Sequence, residues 1–310
     1  MYFSFSLQCF FLTRTISLSR SLTHTHTLAL SQIQGPAATF ALSNFKRAYD
    51  DAKPATFADE LMGCVRAVVQ GYCSANNLDT AKGVAFFKEL EKEAFDKNKD
   101  QTLNELDAAA QCMWTSALAL RGCGPQHQRE LCSMLNGAIR QDHPVHVVAA
   151  AQLARSINQL CVTRRKGIPV HPPNSISFRG SAMPDAVRAF FVPGLQYRVP
   201  GFFATSFSDD KALEFLYRAQ QTSGNPAILW RVHFDPAGEK LFARRCKHVN
   251  FVTNTLVPGE EEFLFAPYSV FTVKQVTLAK GTYQKPHIID IDAATDNMDE
   301  REDLPLAPWY

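Results

Sequence analysis

The chain has no CxxC pair. Its cysteines stand apart at positions 9, 64, 73, 112, 123, 132, 161 and 246. Closely spaced thiolates are the usual frame of a structural zinc site, so no metal is expected. Isolated cysteines pack as small apolar residues, which is preferred here to a disulfide framework. A run of about 20 apolar residues is also missing, so no transmembrane helix is expected. Charge of one sign is lacking too, the net value being +2. Without a strong basic field, neither nucleic acid nor a membrane surface is an expected partner. Acidic residues are absent from the first 49 positions, where Arg14, Arg20, Lys46 and Arg47 are the only Lys or Arg.

That acid-free start sets residues 1–40 apart as a low-complexity leader, excluded from the fold. It is compatible with an organelle transit peptide, with a secretory signal whose apolar part is Phe3 to Leu12, or with a low-complexity extension around Leu22-Thr-His-Thr-His-Thr-Leu28. The compartment therefore stays open. What the rest of the chain does contain is apolar material. Hydrophobic residues are 46% of 310, enough for one large domain or two modest ones.

Residues 41–165 read as a helical lobe. In Gln128–Arg140, Leu131, Met134, Leu135, Ala138 and Ile139 recur at i, i+3, i+4, i+7 and i+8, one apolar stripe on a helix. Phe57–Tyr72, Val84–Phe95 and Val145–Leu160 repeat the theme. The texture changes after Arg164-Arg-Lys-Gly167, where Pro169, Pro172 and Pro173 form a linker. Residues 166–285 then read as a β-rich lobe. Strands are expected over Ile176–Arg179, Gly201–Phe207, Ala227–Phe234, Glu262–Ala266 and Ser269–Leu278. A helix capped by Ser208, with Asp209 and Asp210 in its first turn, is expected to bury Ala212, Leu213, Phe215 and Leu216. Residues 286–310 read as an acidic, proline-containing tail. The fold class is α+β, a helical lobe followed by a β-rich lobe.

Three pieces of the β-rich lobe stand out in order: Phe178-Arg179-Gly180, Phe203-Ala204-Thr205-Ser206 and Glu260-Glu261-Glu262-Phe-Leu. The last continues through Phe265-Ala-Pro267 into Tyr-Ser-Val-Phe271-Thr-Val273. Together they resemble the Arg-Ser-Glu signature of the mono-ADP-ribosyltransferases, the class of the arginine-specific ecto-enzymes and several bacterial toxins. Upstream, Met134-Leu-Asn-Gly-Ala-Ile-Arg140 is similar to that class's Leu-Asn-x-Ala-Leu-Arg helix.

The resemblance implies two packed sheets around an NAD⁺ cleft, with NAD⁺ as co-substrate and a protein with an exposed arginine as acceptor. It implies Glu262 as the central catalytic residue, holding the ribose 2′-hydroxyl while positive charge develops on the sugar. Side chains alternate on a strand, so Glu260 and Glu262 are expected on one face and Glu261 on the other. Glu260 is then the candidate to orient and deprotonate the guanidinium acceptor. Ser206 is implied to hydrogen-bond Glu262 or the ribose. Arg179 is implied to clamp the pyrophosphate, its planar fork matching phosphate oxygens. Gly180 is implied to let backbone approach the nicotinamide, and Phe203 and Thr205 complete the cofactor-binding set. In the turn before Glu260, Phe251 and Asn254 are candidates for acceptor recognition. One departure is Ala204, where the class has the first Ser of Ser-Thr-Ser. A lost hydrogen bond at such a point costs on the order of 1–3 kcal/mol.

Asp96-Lys-Asn98-Lys-Asp100-Gln-Thr102-Leu-Asn-Glu-Leu-Asp107 imitates a calcium loop but has Gln101 where glycine is needed and Asp107 where Glu is usual. A junction between two helices explains the same residues. Two other functions fit the sequence: hydrolysis of NAD⁺ or its binding without turnover, and a helical interaction protein with a degenerate calcium-type loop.

Overall fold

The computed structural model describes residues 39–96, 105–124, 127–158, 171–252, 255–257 and 259–308. Most of the leader, the calcium-like loop at 97–104, the basic linker at 164–170 and Asn254 lie outside these.

The helical lobe comprises α1 (Asn44–Asp51), α2 (Ala58–Ala75), α3 (Thr80–Asp96), α4 (Glu105–Thr115), α5 (Leu131–Gln141) and α6 (His146–Asn158). Four of them, α2, α3, α5 and α6, form where the apolar spacing placed a helix. On α2, Leu61, Val65, Val68 and Val69 are buried, the i, i+4, i+7, i+8 stripe of an amphipathic helix. On α6, Ala150, Ala151 and Ala154 are small enough to let neighbouring helices approach closely. Asp142 ends α5 in a left-handed conformation. Its carboxylate accepts from the backbone N–H of Asn44 at 2.8 Å and of Phe45 at 2.7 Å, capping α1.

The β-rich lobe contains β1 (Ile176–Ala182), β2 (Gln196–Val199), β3 (Phe203–Ser206), β4 (Ala227–His233), β5 (Val249–Phe251), β6 (Glu262–Phe265), β7 (Ser269–Thr277) and β8 (His287–Ala293). Two helices join them, the short α7 (Asp185–Arg188) and α8 (Asp209–Ser223). The strands run in the order β2-β7-β8-β4-β1-β3-β6-β5. The β4–β8 pair is parallel and the others are antiparallel. The protein is α+β, its helical lobe preceding its β-rich lobe.

The expected pair of packed sheets is here one hydrogen-bonded series with a weak seam. β1 and β3 share a single register pair, Phe178 with Ser206. The five-stranded part and the three-stranded part on either side of that seam close on a common aromatic core. Phe203 lies 5.2 Å from Phe271, and Phe265 lies 5.0 Å from Phe271. Trp230 is buried against Phe191 and its indole donates to Ser181 Oγ at 2.8 Å. Tryptophan in a core commonly needs such a partner.

Two expectations need correction. Residues 286–310 are not a tail, because β8 is interior to the sheet between β7 and β4. Its Ile289 and Ile291 are fully buried. Alternating apolar residues in His287–Ala293 carry that strand; the acidic residues around them hid it. β1 also does not stop at Arg179, where the strand was expected to end, but runs on to Ala182.

The lobes share a core. Phe202, Val252, Leu264 and Tyr268 of the β-rich lobe pack into the helical cluster. Among the described residues, no helix is long and apolar enough to cross a membrane.

Candidate active site

A cavity of about 540 Å³ opens at the β1–β3 seam, beneath α5 and α8. That volume is in the range of small-molecule sites. β1 supplies Phe178, Arg179 and Gly180; β3 supplies Ala204, Thr205 and Ser206; Glu260 and Glu262 come from the start of β6. Three pieces separated in sequence thus meet in one cavity.

The two carboxylates reach it by a route different from the expected one. β6 begins only at Glu262, which pairs with Ser206. Glu261 precedes it with φ of 45°, a left-handed turn uncommon for a side chain of that size. The turn sends Glu261 outward and leaves Glu260 and Glu262 at the cavity. Strand alternation is not the cause.

Glu262 accepts a hydrogen bond from Trp114 Nε1 at 2.9 Å. Burial pushes its carboxyl up to about 7, and the nearby Glu260 charge adds to the rise. Trp114 and the Arg179 charge oppose it, because both favour the ionised form. The Glu260 carboxyl is also raised by burial, with Glu130 and Glu214 adding to the shift and Arg218 and Lys211 working against it.

Arg179 is half-buried in the cavity wall. Its Nη1 donates to Ala204 O at 2.7 Å, tying β1 to β3 beside the seam. Its guanidinium lies 5.1 Å from the Phe203 ring, within reach of a cation–π contact. Burial lowers its pKa to about 10. Arg140 on α5 also lines the cavity and is lowered to about 10, by burial first and by the Arg179 charge second.

Other expected residues take roles of a different kind. The Ser206 hydroxyl does not reach Glu262; it donates to Glu260 O at 2.6 Å and accepts from Ser208 N at 3.0 Å. The turn at Glu261 brings that carbonyl into its path. Thr205 Oγ1 donates to Phe263 O at 2.9 Å and pins β3 to β6. Phe203 is 1% exposed and belongs to the aromatic core, and it packs against Arg179 of the cavity wall. Gly180 lines the cavity, but its reason for being glycine is α8. A Cβ there would meet Ala212 O at 1.9 Å and Leu216 N at 2.4 Å. Phe251 stacks on Phe207 at 5.3 Å and 15°, half-buried and away from the cavity lining.

Sequence patterns alone did not reveal the helical lobe's share. Cys132, Ser133, Asn136 and Arg140 of α5 line the cavity. Positions 132, 136 and 140 follow i, i+4, i+8, so a polar stripe opposite Met134, Leu135 and Ile139 was there to find. Asn136 Oδ1 accepts from Phe202 N at 2.7 Å, fixing the chain just before β3. Phe215, expected to be buried, is 40% exposed and faces the cavity. Trp114 had no local signal, since a lone tryptophan on an apolar helix reads as core.

No protein-family model matches the chain, and no curated protein matches it. Solved structures do show likeness. HopU1, an ADP-ribosyltransferase of Pseudomonas syringae pv. Tomato DC3000, is 17% identical with a TM-score of 0.45, covering 66% of this chain and 87% of its own. Vis toxin, an ADP-ribosyltransferase from Vibrio splendidus, is 14% identical with a TM-score of 0.43, covering 68% and 82%. The C3 exoenzyme of Clostridium limosum is 14% identical with a TM-score of 0.40, covering 79% and 99%. Likeness at this level decides neither fold nor activity, which rest on the geometry above.

Proposed function

We propose that the protein transfers ADP-ribose from NAD⁺ to arginine side chains of a protein acceptor, releasing nicotinamide. The observation that carries this reading is the meeting, in one cavity, of a half-buried carboxylate, Glu262, with two desolvated guanidiniums, Arg179 and Arg140. Two half-buried cations, with the Arg179 charge lowering the Arg140 pKa, favour an anion between them, and a pyrophosphate offers one that each planar fork can grip. The donor set therefore fits a dinucleotide.

In this reading Arg179 and Arg140 bind the pyrophosphate and orient the ribose toward Glu262. The C1′–nicotinamide bond breaks and its electron pair leaves with nicotinamide. The Glu262 carboxylate offsets the positive charge that develops on the sugar, in a site where burial strengthens that interaction. A guanidine nitrogen of the acceptor then bonds to C1′, and Glu260 at the same cavity takes the proton it sheds. Burial raises both carboxyls above the ordinary Glu value, Glu262 to about 7, a perturbation characteristic of functional sites. Phe251 and the turn that follows it remain the proposed acceptor contact.

The test is incubation with NAD⁺ labelled in its adenylate and an arginine-rich acceptor. Label is expected in protein and is expected to be released by neutral hydroxylamine, as an arginine adduct is. Glu260→Gln is expected to keep releasing nicotinamide while protein labelling falls at least tenfold. Label that resists hydroxylamine, or a Glu260→Gln variant that labels as well as wild type, contradicts the arginine reading. Nicotinamide release without any label in protein points instead to NAD⁺ hydrolysis.

A further inference from the structure

We propose that the end of α4 is a two-point clamp, with Trp114 positioning the Glu262 carboxylate and Thr115 positioning the turn that leads into it. The proposal rests on the reading of Glu262 as the catalytic carboxylate.

The residues that the sequence offered for steadying Glu262 are engaged elsewhere or lack the means. Ser206 donates to Glu260 O, and Ala204 has no hydroxyl. The indole of Trp114 reaches Glu262 Oε1 at 2.9 Å from 148 positions away. Packing holds the indole in place for this contact, since Trp114 is 5% exposed and its ring lies on Phe202 at 4.8 Å. A rigid donor fixes one oxygen and leaves the other to face the cavity. The next residue grips the same segment. Leu256 N donates to Thr115 Oγ1 at 3.0 Å. The Thr115 hydroxyl in turn donates into α4, with Gln111 O at 3.1 Å and Cys112 O at 3.3 Å. Ser116 Oγ then donates to Glu93 Oε2 at 2.5 Å, tying this end of α4 to α3. A helix of one lobe thus sets the catalytic carboxylate of the other.

Indole has no charge, so removing it leaves every titrating neighbour in place. Those neighbours are Glu260 on the same segment, Arg179 on β1, Cys132 and Arg140 on α5, and Glu130 at its start. The Cys132 thiol is pushed up by burial and stays protonated. An N–H donor to a carboxylate favours the ionised form, so its loss raises the carboxyl pKa.

The experiment follows two resonances in the full chain: the carboxyl carbon of ¹³C-labelled glutamate and the indole ¹H–¹⁵N signal of Trp114, one of three tryptophans. In wild type the carboxyl titrating near 7 is expected to be absent from Glu262→Gln. Trp114→Phe is expected to move that midpoint up by about one pH unit and the acid limb of nicotinamide release with it. The Trp114 indole signal in wild type is expected to titrate at the same midpoint and to stop doing so in Glu262→Gln; this needs no core variant to fold. Thr115→Val is expected to lower kcat for nicotinamide release several-fold at unchanged KM for NAD⁺. An indole signal that ignores pH across this range, or a folded Trp114→Phe with an unmoved midpoint, overturns the clamp at Trp114. Nicotinamide release by a folded Thr115→Val at the wild-type kcat overturns it at Thr115. Coupled titration in a wild-type protein without turnover strikes the functional reading and not the contact.

Discussion

At the residue scale, Glu262 couples activity and stability with opposite signs. Its folded pKa, near 7, lies above the ordinary value of 4.5. The folded protein therefore holds this proton more tightly than the unfolded chain. The stability so contributed is fully present below about 4.5 and is lost as pH rises through about 7. Glutamine carries no charge at any of these values. Glu262→Gln is thus expected to be at least as stable as wild type at pH 8, by up to about 3 kcal/mol, with the difference shrinking toward pH 5. Thermal melts at the two pH values check this. Turnover runs the other way: it needs the carboxylate, so nicotinamide release is expected to rise with pH through about 7.

Arg179, Gly180, Ser206, Glu260 and Glu262 were all legible in the sequence, and all lie along the cavity. Residue type and order sufficed for that. Their partners were not legible. The Ser206 acceptor depends on a left-handed Glu261, and strand alternation gives no hint of such a turn. Trp114 meets Glu262 only because α4 packs on the start of β6, which no local pattern encodes.

At the scale of elements, the seam between β1 and β3 and the packing of α8 across β1 determine where the cavity lies. Gly180 is where that packing is tightest. A methyl group at this position meets backbone of α8, which has no rotamer by which to yield. Gly180→Ala is expected to lower stability by about 3 kcal/mol or more and to weaken NAD⁺ binding as α8 shifts. Denaturant titration with parallel calorimetry separates the two effects, and a variant with unchanged midpoint contradicts this view of the glycine. Helix α8 itself was readable from its Ser208 cap and first-turn aspartates, and the cap forms as expected. Its buried face was readable in part. Ala212 and Leu216 are buried while Phe215 points to the cavity, because the neighbouring opening, not the helix, sets that choice.

At the scale of the whole molecule, the chain after β8 is an integral layer. Arg198 on β2 is 2% exposed and donates to the carbonyls of Tyr268 at 3.0 Å, Glu300 at 2.9 Å and Arg301 at 2.8 Å. Leu306 continues past it in a parallel bridge, and Pro305 bridges to Thr39 at the start of the helical lobe. Guanidinium spreads five donors over a rigid planar fork, whereas an ammonium has three on a single atom. Arg198→Lys is expected to cost about 2–4 kcal/mol and to expose residues 297–308 to protease before the rest unfolds. Cleavage there at the wild-type rate contradicts that role. A proline-rich, acidic composition concealed this layer, since its anchors are backbone carbonyls rather than side chains.

The most direct measurement is nicotinamide release from NAD⁺ at pH 8 by wild type and Glu262→Gln, with the NAD⁺ dissociation constant of each determined by calorimetry. If the half-buried carboxylate acts on the ribose, the variant binds NAD⁺ within about threefold of wild type and releases nicotinamide at least about 100-fold more slowly. A Glu262→Gln protein that cleaves NAD⁺ within a few-fold of the wild-type rate contradicts it.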